Sequence, residues 1–250
     1  MLKFKDVTFK YASDDFYMTD KLSFSVEKGE FISLIGASGC GKSTIFRLIN
    51  GLEKDYSGDI FFNGENIKNI KNYSAYMPQR DLLYPWRTIE KNICLPMEIQ
   101  KKSKIEMAQR AEEMLKEVGL WDYKDKFPRD LSGGMRQRAS FARTLMSGAK
   151  LLLLDEPFSA LDSITRIGLQ EWLLDEWRKH KKTVLFVTHD VEEALFLSQK
   201  VFIITERPIS HFEEYNIPLD YPRNREGLKR PDIVSLKEEL IKKLRRDEQK

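Results

Sequence analysis

The 250-residue chain predicts an α/β fold, in which helices cover both faces of a largely parallel β-sheet. Three observations predict this class. Short apolar runs alternate with helical patterns over 151–204, a glycine-rich loop joins a strand at 31–35 to a helix at 44–52, and helical patterns fill 88–118. Strands that are apolar throughout are buried on both faces, which is typical of parallel sheets.

The N-terminal part predicts strands of a different pattern. Apolar residues alternate loosely over 4–11 and strictly over 22–26, as expected for strands with one buried face. The run 59–64 reads as another strand that ends in the turn Asn63-Gly64.

The sequence after about residue 100 predicts helices that alternate with short strands. A helix at 135–145 precedes strands at 151–154, 183–187 and 201–204, with a helix at 164–177 between the first two. Capping boxes predict three helix starts, because a cap residue followed three positions later by Glu satisfies free backbone N–H groups. They are Ser103-x-x-Glu106, Asp190-x-x-Glu193 for a helix to about residue 197, and Ser235-x-x-Glu238 for the last helix, about 235–248.

Composition excludes several classes of function. The 42 Lys and Arg against 39 Asp and Glu give a net charge of +3, too small an excess to indicate nucleic-acid binding. No run reaches the length of a membrane span, and the N-terminus has no apolar signal segment, so we expect a cytosolic chain that reaches a membrane only through a partner. Two cysteines, Cys40 and Cys94, make neither a disulfide framework nor a metal site.

The glycine-rich loop matches the phosphate-binding pattern Gly36-x-x-x-x-Gly41-Lys42-Ser43. Its residues are Gly36, Ala37, Ser38, Gly39, Cys40, Gly41, Lys42, Ser43 and Thr44. Backbone N–H groups and the following helix N-terminus attract phosphate oxygens, and Lys42 adds a mobile positive charge. Since the Ser43 hydroxyl is a suitable Mg²⁺ ligand, the loop predicts binding of ATP with Mg²⁺.

A second group of polar residues follows two other predicted strands. Asp155 and Glu156 end the apolar run 151–154, and His189 follows the strand 183–187. The carboxyl ends of parallel strands meet at one edge of the sheet, where the phosphate loop also lies. We expect Asp155 to hold Mg²⁺, Glu156 to activate water, and His189 to sense the γ-phosphate.

A second helix N-terminus that could bind an anion is predicted at Leu131-Ser132-Gly133-Gly134-Met135-Arg136-Gln137-Arg138. Ser132 is a good N-cap, and the glycines expose backbone N–H groups. A chain with one phosphate loop needs only one anion-binding helix N-terminus for its own nucleotide. The second N-terminus therefore indicates contact with the nucleotide of another molecule.

These motifs, in this order, resemble the ATP-binding subunits of ABC transporters. The loop resembles their Walker A motif, Gln79 the Q-loop glutamine, and segment 131–137 the signature sequence. Asp155 and Glu156 resemble the Walker B aspartate and catalytic glutamate. Tyr11 resembles the aromatic residue that stacks on adenine, Ser159-Ala160-Leu161-Asp162 the D-loop, and His189 the switch histidine.

The resemblance implies one ABC ATPase domain over 1–250. Its P-loop NTPase (RecA-like) parallel core would carry an N-terminal antiparallel β subdomain and a helical subdomain at about 86–148. Catalysis would use Glu156, His189 and Gln79, and Mg²⁺ would be held by Ser43, Gln79 and Asp155. Each ATP would lie between two copies of the chain, with the second copy supplying Ser132, Gly133, Gly134 and Gln137 from the signature and Asp162 from the D-loop.

The resemblance also implies partners and a location. Two membrane permease subunits would hold the chain at the cytoplasmic face of the cell membrane, with a solute-binding protein in the complex and no nucleic acid. Segment 79–93 is similar to that of importers of nitrate, sulfonates and taurine, and of thiamine-precursor pyrimidines. An exporter or lipoprotein-release ATPase and a non-transport ABC ATPase remain alternatives, and Phe16 or Tyr17 could stack on adenine instead of Tyr11.

Overall fold

A computed structural model describes residues 1–247 as two sheets with helices around the larger one. The strands are β1 (Leu2–Phe9), β2 (Thr19–Val26), β3 (Phe31–Gly36), β4 (Ser57–Phe62), β5 (Glu65–Asn66), β6 (Ser74–Met77), β7 (Leu151–Asp155), β8 (Thr183–Val187), β9 (Lys200–Ile204) and β10 (Glu213–Asn216). The helices are α1 (Lys42–Ile49), α2 (Ile89–Ile99), α3 (Lys104–Glu117), α4 (Gly133–Leu145), α5 (Ser163–His180), α6 (Val191–Leu197) and α7 (Pro231–Asp247).

The larger sheet has the strand order β10-β9-β3-β8-β7-β6. Its strands are parallel except β10, which pairs antiparallel with β9. The smaller sheet, β2-β1-β4-β5, is antiparallel throughout. The α/β class, the parallel core and the N-terminal antiparallel unit are thus confirmed.

Each face of the parallel sheet has its own core, because successive side chains of a strand point to opposite faces. Leu152 and Leu154 of β7 pack with the helices α2 to α5, whereas Leu151 and Leu153 pack with α1 and the antiparallel sheet. Every residue of β7 and of β8 is buried. This two-sided burial explains why both strands are apolar without alternation.

Three strands, β5, β6 and β10, were not predicted from the sequence. Strand β5 has two residues and strand β6 has four, in which half-buried Ser74 and Tyr76 alternate with buried neighbours. Strand β10 is Glu-Glu-Tyr-Asn, a composition that disfavours strands, and it lies at the sheet edge on β9. All three are strands because a longer neighbour offers them backbone partners.

The last helix begins earlier than its predicted capping box. Helix α7 starts at Pro231, so Ser235 lies inside the helix and caps nothing. Proline suits a first helical position because its missing N–H would have no partner there. The predicted end at residue 248 lies outside the described residues. Among residues 1–247, every helix is too short or too polar to span a bilayer.

The helical stretch between β6 and β7 is anchored by a buried asparagine. Asn92 of α2 is fully buried; its Oδ1 accepts from the N–H of Tyr84 at 2.8 Å. Its Nδ2 donates to the carbonyls of Tyr84, Arg87 and Thr88 at 3.0–3.1 Å. One side chain therefore fixes the loop that leads from β6 into α2.

We expect Asn92→Ala to lower the free energy of unfolding by about 1–3 kcal/mol, because it leaves buried backbone groups without partners. Chemical denaturation followed by circular dichroism measures this change. Lys91→Ala, at the exposed preceding position, is the control and should change stability little. Equal stability of Asn92→Ala and the control would contradict the anchoring role.

Candidate functional site

The phosphate loop is shaped by glycines whose backbone conformation suits no other residue. Gly39 has φ 75° and Gly41 has φ 112°. A Cβ at Gly41 would lie 2.9 Å from Ile209 Cδ1 and 3.1 Å from Met18 Cε. Helix α1 begins directly after it, at Lys42, two residues before the predicted start. No side chain caps this helix end, so its N–H groups face the loop.

Lys42 closes the loop on itself. Its ammonium donates to the carbonyls of Gly36 and Ala37, both at 2.8 Å, and the residue is only 8% exposed. The Cys40 thiol lies 3.8 Å from the same nitrogen. Burial raises the pKa of Cys40 despite the nearby Lys42 charge, so Cys40 is a small packing residue and not a reactive thiolate.

Tyr11 is tied to the end of the loop. Its hydroxyl shares a hydrogen bond of 3.1 Å with that of Thr44, and the Arg47 guanidinium lies 5.9 Å from its ring centre. Phe16 and Tyr17, the alternatives for stacking on a base, are both about half exposed. Of the three aromatic residues, Tyr11 has the direct contact with the loop.

Asp155 is a buried carboxylate beside the loop. It is 3% exposed and accepts a hydrogen bond of 3.2 Å from the Tyr76 hydroxyl. Burial raises the pKa of Asp155, and the hydroxyls of Ser43 and Tyr76 partly offset this rise. A cation beside it would favour its ionised form. Tyr76 belongs to the missed strand β6, and sequence reasoning did not identify it.

The donor set suits Mg²⁺ that is shared with a nucleotide. Asp155, Ser43 and Gln79 line one open cleft of about 710 Å³. Among the described residues, no group of three or more His, Cys, Asp or Glu side chains could hold a metal ion. Mg²⁺ does not need such a cage, because it commonly takes one or two protein oxygens and completes its shell with phosphates and water.

Glu156 lies at the centre of a second polar cluster. Its backbone has a left-handed φ of 49°, which turns the chain sharply after β7. Gln79 Nε2 donates to its Oε2 at 3.0 Å, and His189 Nδ1 lies 3.4 Å from the same oxygen. Three side chains from the ends of three neighbouring strands therefore meet. The sheet-edge argument predicted the positions of Glu156 and His189, whereas Gln79 was expected only from the family resemblance. A carboxylate held this way can take a proton from water.

The N-terminus of α4, the second predicted anion-binding site, is exposed. Ser132 caps α4 through a hydrogen bond of 3.3 Å from the N–H of Met135 to its hydroxyl. Ser132 and Gly133 are exposed, and a Cβ at Gly134 would lie 3.0 Å from the carbonyl oxygen of Ala160. Helix α4 thus starts at Gly133, before the predicted residue 135. The two glycines provide both access to the helix end and close packing against the loop after β7.

Gln137 lies apart from the exposed part of this motif. It is 3% exposed, and its Nε2 donates to the Glu156 carbonyl at 3.0 Å and to Ser159 Oγ at 3.1 Å. Its Oε1 accepts from the N–H of Ala160 at 2.7 Å. In this chain Gln137 joins α4 to the turn at Glu156. Its contact with another chain's nucleotide remains a prediction.

Asp162 caps α5. Its carboxylate accepts from the N–H of Thr165 at 3.0 Å, and this hydrogen bond lowers the pKa of the exposed Asp162. Helix α5 thus begins at Ser163, one residue before the predicted start at 164, and ends at His180 instead of 177.

Glu193 supports the strand end that carries His189. The Thr188 hydroxyl donates to Glu193 Oε2 at 2.6 Å and accepts from the N–H of Asp190 at 3.0 Å. Gln170 Nε2 donates to Glu193 Oε1 at 2.8 Å. The predicted capping box is thus half right, because Asp190 caps α6 while the Glu193 carboxylate turns to Thr188 and Gln170. Burial raises the pKa of Glu193, with the Thr188 hydrogen bond opposing the rise.

The segment after Gln79 is held by two arginines of α4. Arg136 Nε lies 3.0 Å from Asp81 Oδ2, and Arg143 donates to the carbonyls of Asp81 and Leu82 at 2.8 Å. Beyond these anchors the surface is apolar: Leu82 is 61% and Trp86 71% exposed. Such neighbouring exposed apolar side chains indicate a protein-binding surface.

Comparisons with known proteins find relatives in sequence and in fold. The model of the ABC transporter family matches residues 19–159. The formylaminopyrimidine import ATP-binding protein ThiZ of Halalkalibacterium halodurans is 44% identical over 226 residues, 90% of this chain and 88% of its own length. The aliphatic sulfonates import ATP-binding protein SsuB of Bacillus subtilis is 38% identical over 229 residues, 92% of this chain and 88% of its own length. A solved dimer of the ATP-binding cassette MJ0796, bound to ADP and Pi, aligns with a TM-score of 0.78 at 27% identity, covering 88% of this chain and all of that one.

We expect Thr188→Val to slow ATP hydrolysis by about tenfold to a hundredfold with little change in ATP affinity, because small displacements of reacting groups are costly. Turnover and nucleotide binding, measured separately, distinguish these effects. Thr19→Val is the matched control, since its buried hydroxyl has no partner among the described residues. Wild-type turnover of Thr188→Val would contradict the positioning role of this network.

Proposed function

Because the chain belongs to the ABC transporter family, we propose that it is the ATP-hydrolysing subunit of an importer for a small solute. The observation that carries this proposal is the meeting of Gln79, Glu156 and His189 beside the phosphate loop. The importer relatives support sulfonates or a thiamine-precursor pyrimidine as the class of solute. They favour import over an exporter or a non-transport ATPase.

ATP would be held by the loop 36–44, with Lys42 leaving its carbonyl partners for the β- and γ-phosphates. Tyr11 would stack on adenine. Mg²⁺, held by Ser43 and Asp155 with Gln79, would neutralise charge on the phosphates as the γ-phosphoryl group leaves.

Glu156 would take a proton from the attacking water, which His189 and Gln79 help to orient. The left-handed turn at Glu156 supports this role, because it directs the carboxylate toward both of these side chains. Asp155 would remain with the metal, so the two adjacent carboxylates would have different tasks.

The complete site would need a second copy of the chain. Ser132, Gly133 and Gly134 of one copy would contact the γ-phosphate held by the other, and Asp162 would lie near the same boundary. Among the described residues, no hydrogen bond joins 132–134 to the loop 36–44 of the same chain, in keeping with a role in trans. The dimeric MJ0796 cassette with ADP and Pi supports this arrangement.

Two permease subunits would place the chain at the cytoplasmic face of the membrane, with a solute-binding protein supplying the cargo outside. The helical subdomain at about 86–148 and the exposed segment with Leu82, Tyr84 and Trp86 would meet the permease. The 710 Å³ cleft supports this proposal, because its lining includes both Asp155 and the apolar residues Leu82 and Tyr84.

We expect Glu156→Gln to bind ATP but to hydrolyse it slower by about a hundredfold or more, because the general base is lost. Size-exclusion chromatography with ATP should then show a stable dimer. Glu214→Gln, exposed on β10, is the control and should behave as the unmodified chain. Normal turnover together with a monomer in ATP would refute both the catalytic role and the shared site.

We expect Trp86→Ala to retain basal ATP hydrolysis but to lose co-purification with the permease subunits, because a 71% exposed tryptophan contributes little to the fold and much to an interface. Pull-down from solubilised membranes and solute uptake measure this loss. Val234→Ala, 40% exposed on α7 and outside the helical subdomain, is the control. Unchanged uptake by Trp86→Ala would place the permease contact elsewhere.

A further inference from the structure

A compact cavity lies toward the opposite ends of the strands from the phosphate loop. It measures about 240 Å³ and is bounded by α3, the end of α4, α5 and the start of β8. Its walls are chiefly apolar: Met114, Leu145, Leu152, Trp172, Leu173 and Trp177. Two indole rings in one small cavity provide flat, rigid surfaces for a planar molecule.

The mouth of the cavity brings two cations together. Arg110 and Lys182 both line it, and both also line an adjoining open groove of about 700 Å³. The two side chains therefore lie where the groove adjoins the cavity, and they bring two positive charges to its lining.

Lys182 makes no close ion pair in this position. Among residues 1–245, no carboxylate lies within 4.0 Å of its ammonium and no side chain or carbonyl accepts a hydrogen bond from it. Burial lowers the pKa of Lys182 and the Arg110 charge lowers it further, whereas the charge of Glu176 partly offsets the fall. Arg110 pairs with Glu113 at 2.8 Å, on the exposed side of α3.

One carboxylate, that of Glu176, also lines the cavity. It lies 3.1 Å from Lys179 Nζ and 3.3 Å from His180 Nε2, so its charge is shared with these two side chains. The cavity thus combines mainly apolar walls with a half-buried ammonium group that makes no close ion pair. An anion at Lys182 would relieve both the desolvation of the ammonium and its repulsion by Arg110.

We propose that this cavity binds a small organic anion with a single carboxylate on a compact, one-ring apolar body. An apolar cavity of about 150 Å³ accommodates benzene, so 240 Å³ leaves room for one ring and an attached acid group. The ring would pack against Trp172 and Trp177, and the carboxylate would meet Lys182 and Arg110. Phosphate alone would leave the apolar walls without a partner.

Such a ligand would connect two parts of the molecule. Arg110 and Met114 belong to α3 in the helical stretch, whereas Trp172 and Trp177 belong to α5 on the parallel sheet. An occupant contacts both and adds apolar burial between them. Its binding energy therefore favours the arrangement in which α3 and α5 are packed as they are here.

Benzoate is the probe for this site. Titration into the chain, with saturating ADP and Mg²⁺ present to occupy the phosphate loop, should change tryptophan fluorescence and give a Kd of roughly 1 mM or lower. Calorimetry under the same conditions should give the same constant. Trp172→Phe should lose most of the fluorescence change while calorimetry still records binding.

Matched variants and ligands test whether the Lys182 charge contributes to benzoate binding and whether benzoate binds in the cavity. Lys182→Met should weaken benzoate binding by about tenfold or more, since a charge-assisted hydrogen bond is lost. Lys150→Met is the control, because Lys150 lines the open groove but not the cavity. Neutral benzamide and inorganic phosphate should both bind more weakly than benzoate. Equal benzoate affinity in Lys182→Met and the control, or no signal at about 10 mM benzoate, overturns the proposal.

Discussion

The backbone turn at Glu156 is the constraint on which the rest of the site depends. Its N–H donates to the Val187 carbonyl at 3.0 Å, which ties the end of β7 to the end of β8. Its own carbonyl accepts from Gln137 at 3.0 Å, which ties the same turn to α4. The left-handed φ of 49° is held by these bonds, and strain of this kind persists only where the surroundings fix it. The carboxylate of Glu156 therefore points where three elements direct it.

Gln137 connects the turn at Glu156 to α4, and α4 in turn contacts the exposed loop after Gln79. Helix α4 carries Ser132 at its start, Gln137 one turn later, and Arg136 and Arg143 on the side of the loop after Gln79. A rigid helix with these attachments joins the Glu156 carbonyl to the backbone of Asp81 and Leu82. Movement of the exposed apolar segment relative to the sheet would have to displace α4 or break these hydrogen bonds. Contacts of this kind are a physical route by which a docked partner can influence the carboxylate.

Features that depend on local sequence were predicted, and features that depend on distant partners were not. The glycine loop, the ends of β7 and β8 and the cap Ser103 follow from neighbouring residues, so pattern and spacing were sufficient. The strand β10 needs β9, and the Glu193 carboxylate needs Thr188 and Gln170 from other elements. Gln137 belonged to a recognised motif, yet only tertiary structure shows that its amide is directed inward. The predicted helix start at Ser235 was wrong, because a capping pattern can also occur inside a helix that a proline begins earlier.

The ionisable groups of the interior show how selectively the chain tolerates buried charge. Lys42 is satisfied by two carbonyls, Asp155 accepts from Tyr76, and Glu193 accepts from Thr188 and Gln170. Each of these groups lies at the edge of the sheet where nucleotide chemistry needs charge. Lys182 lies at the opposite ends of the strands, at the start of β8, and has no such partner among residues 1–245. Lys182 is half-buried, and partial desolvation together with the Arg110 charge lowers the pKa of its ammonium. An outside anion in the tryptophan-walled cavity beside it would stabilise the charged form.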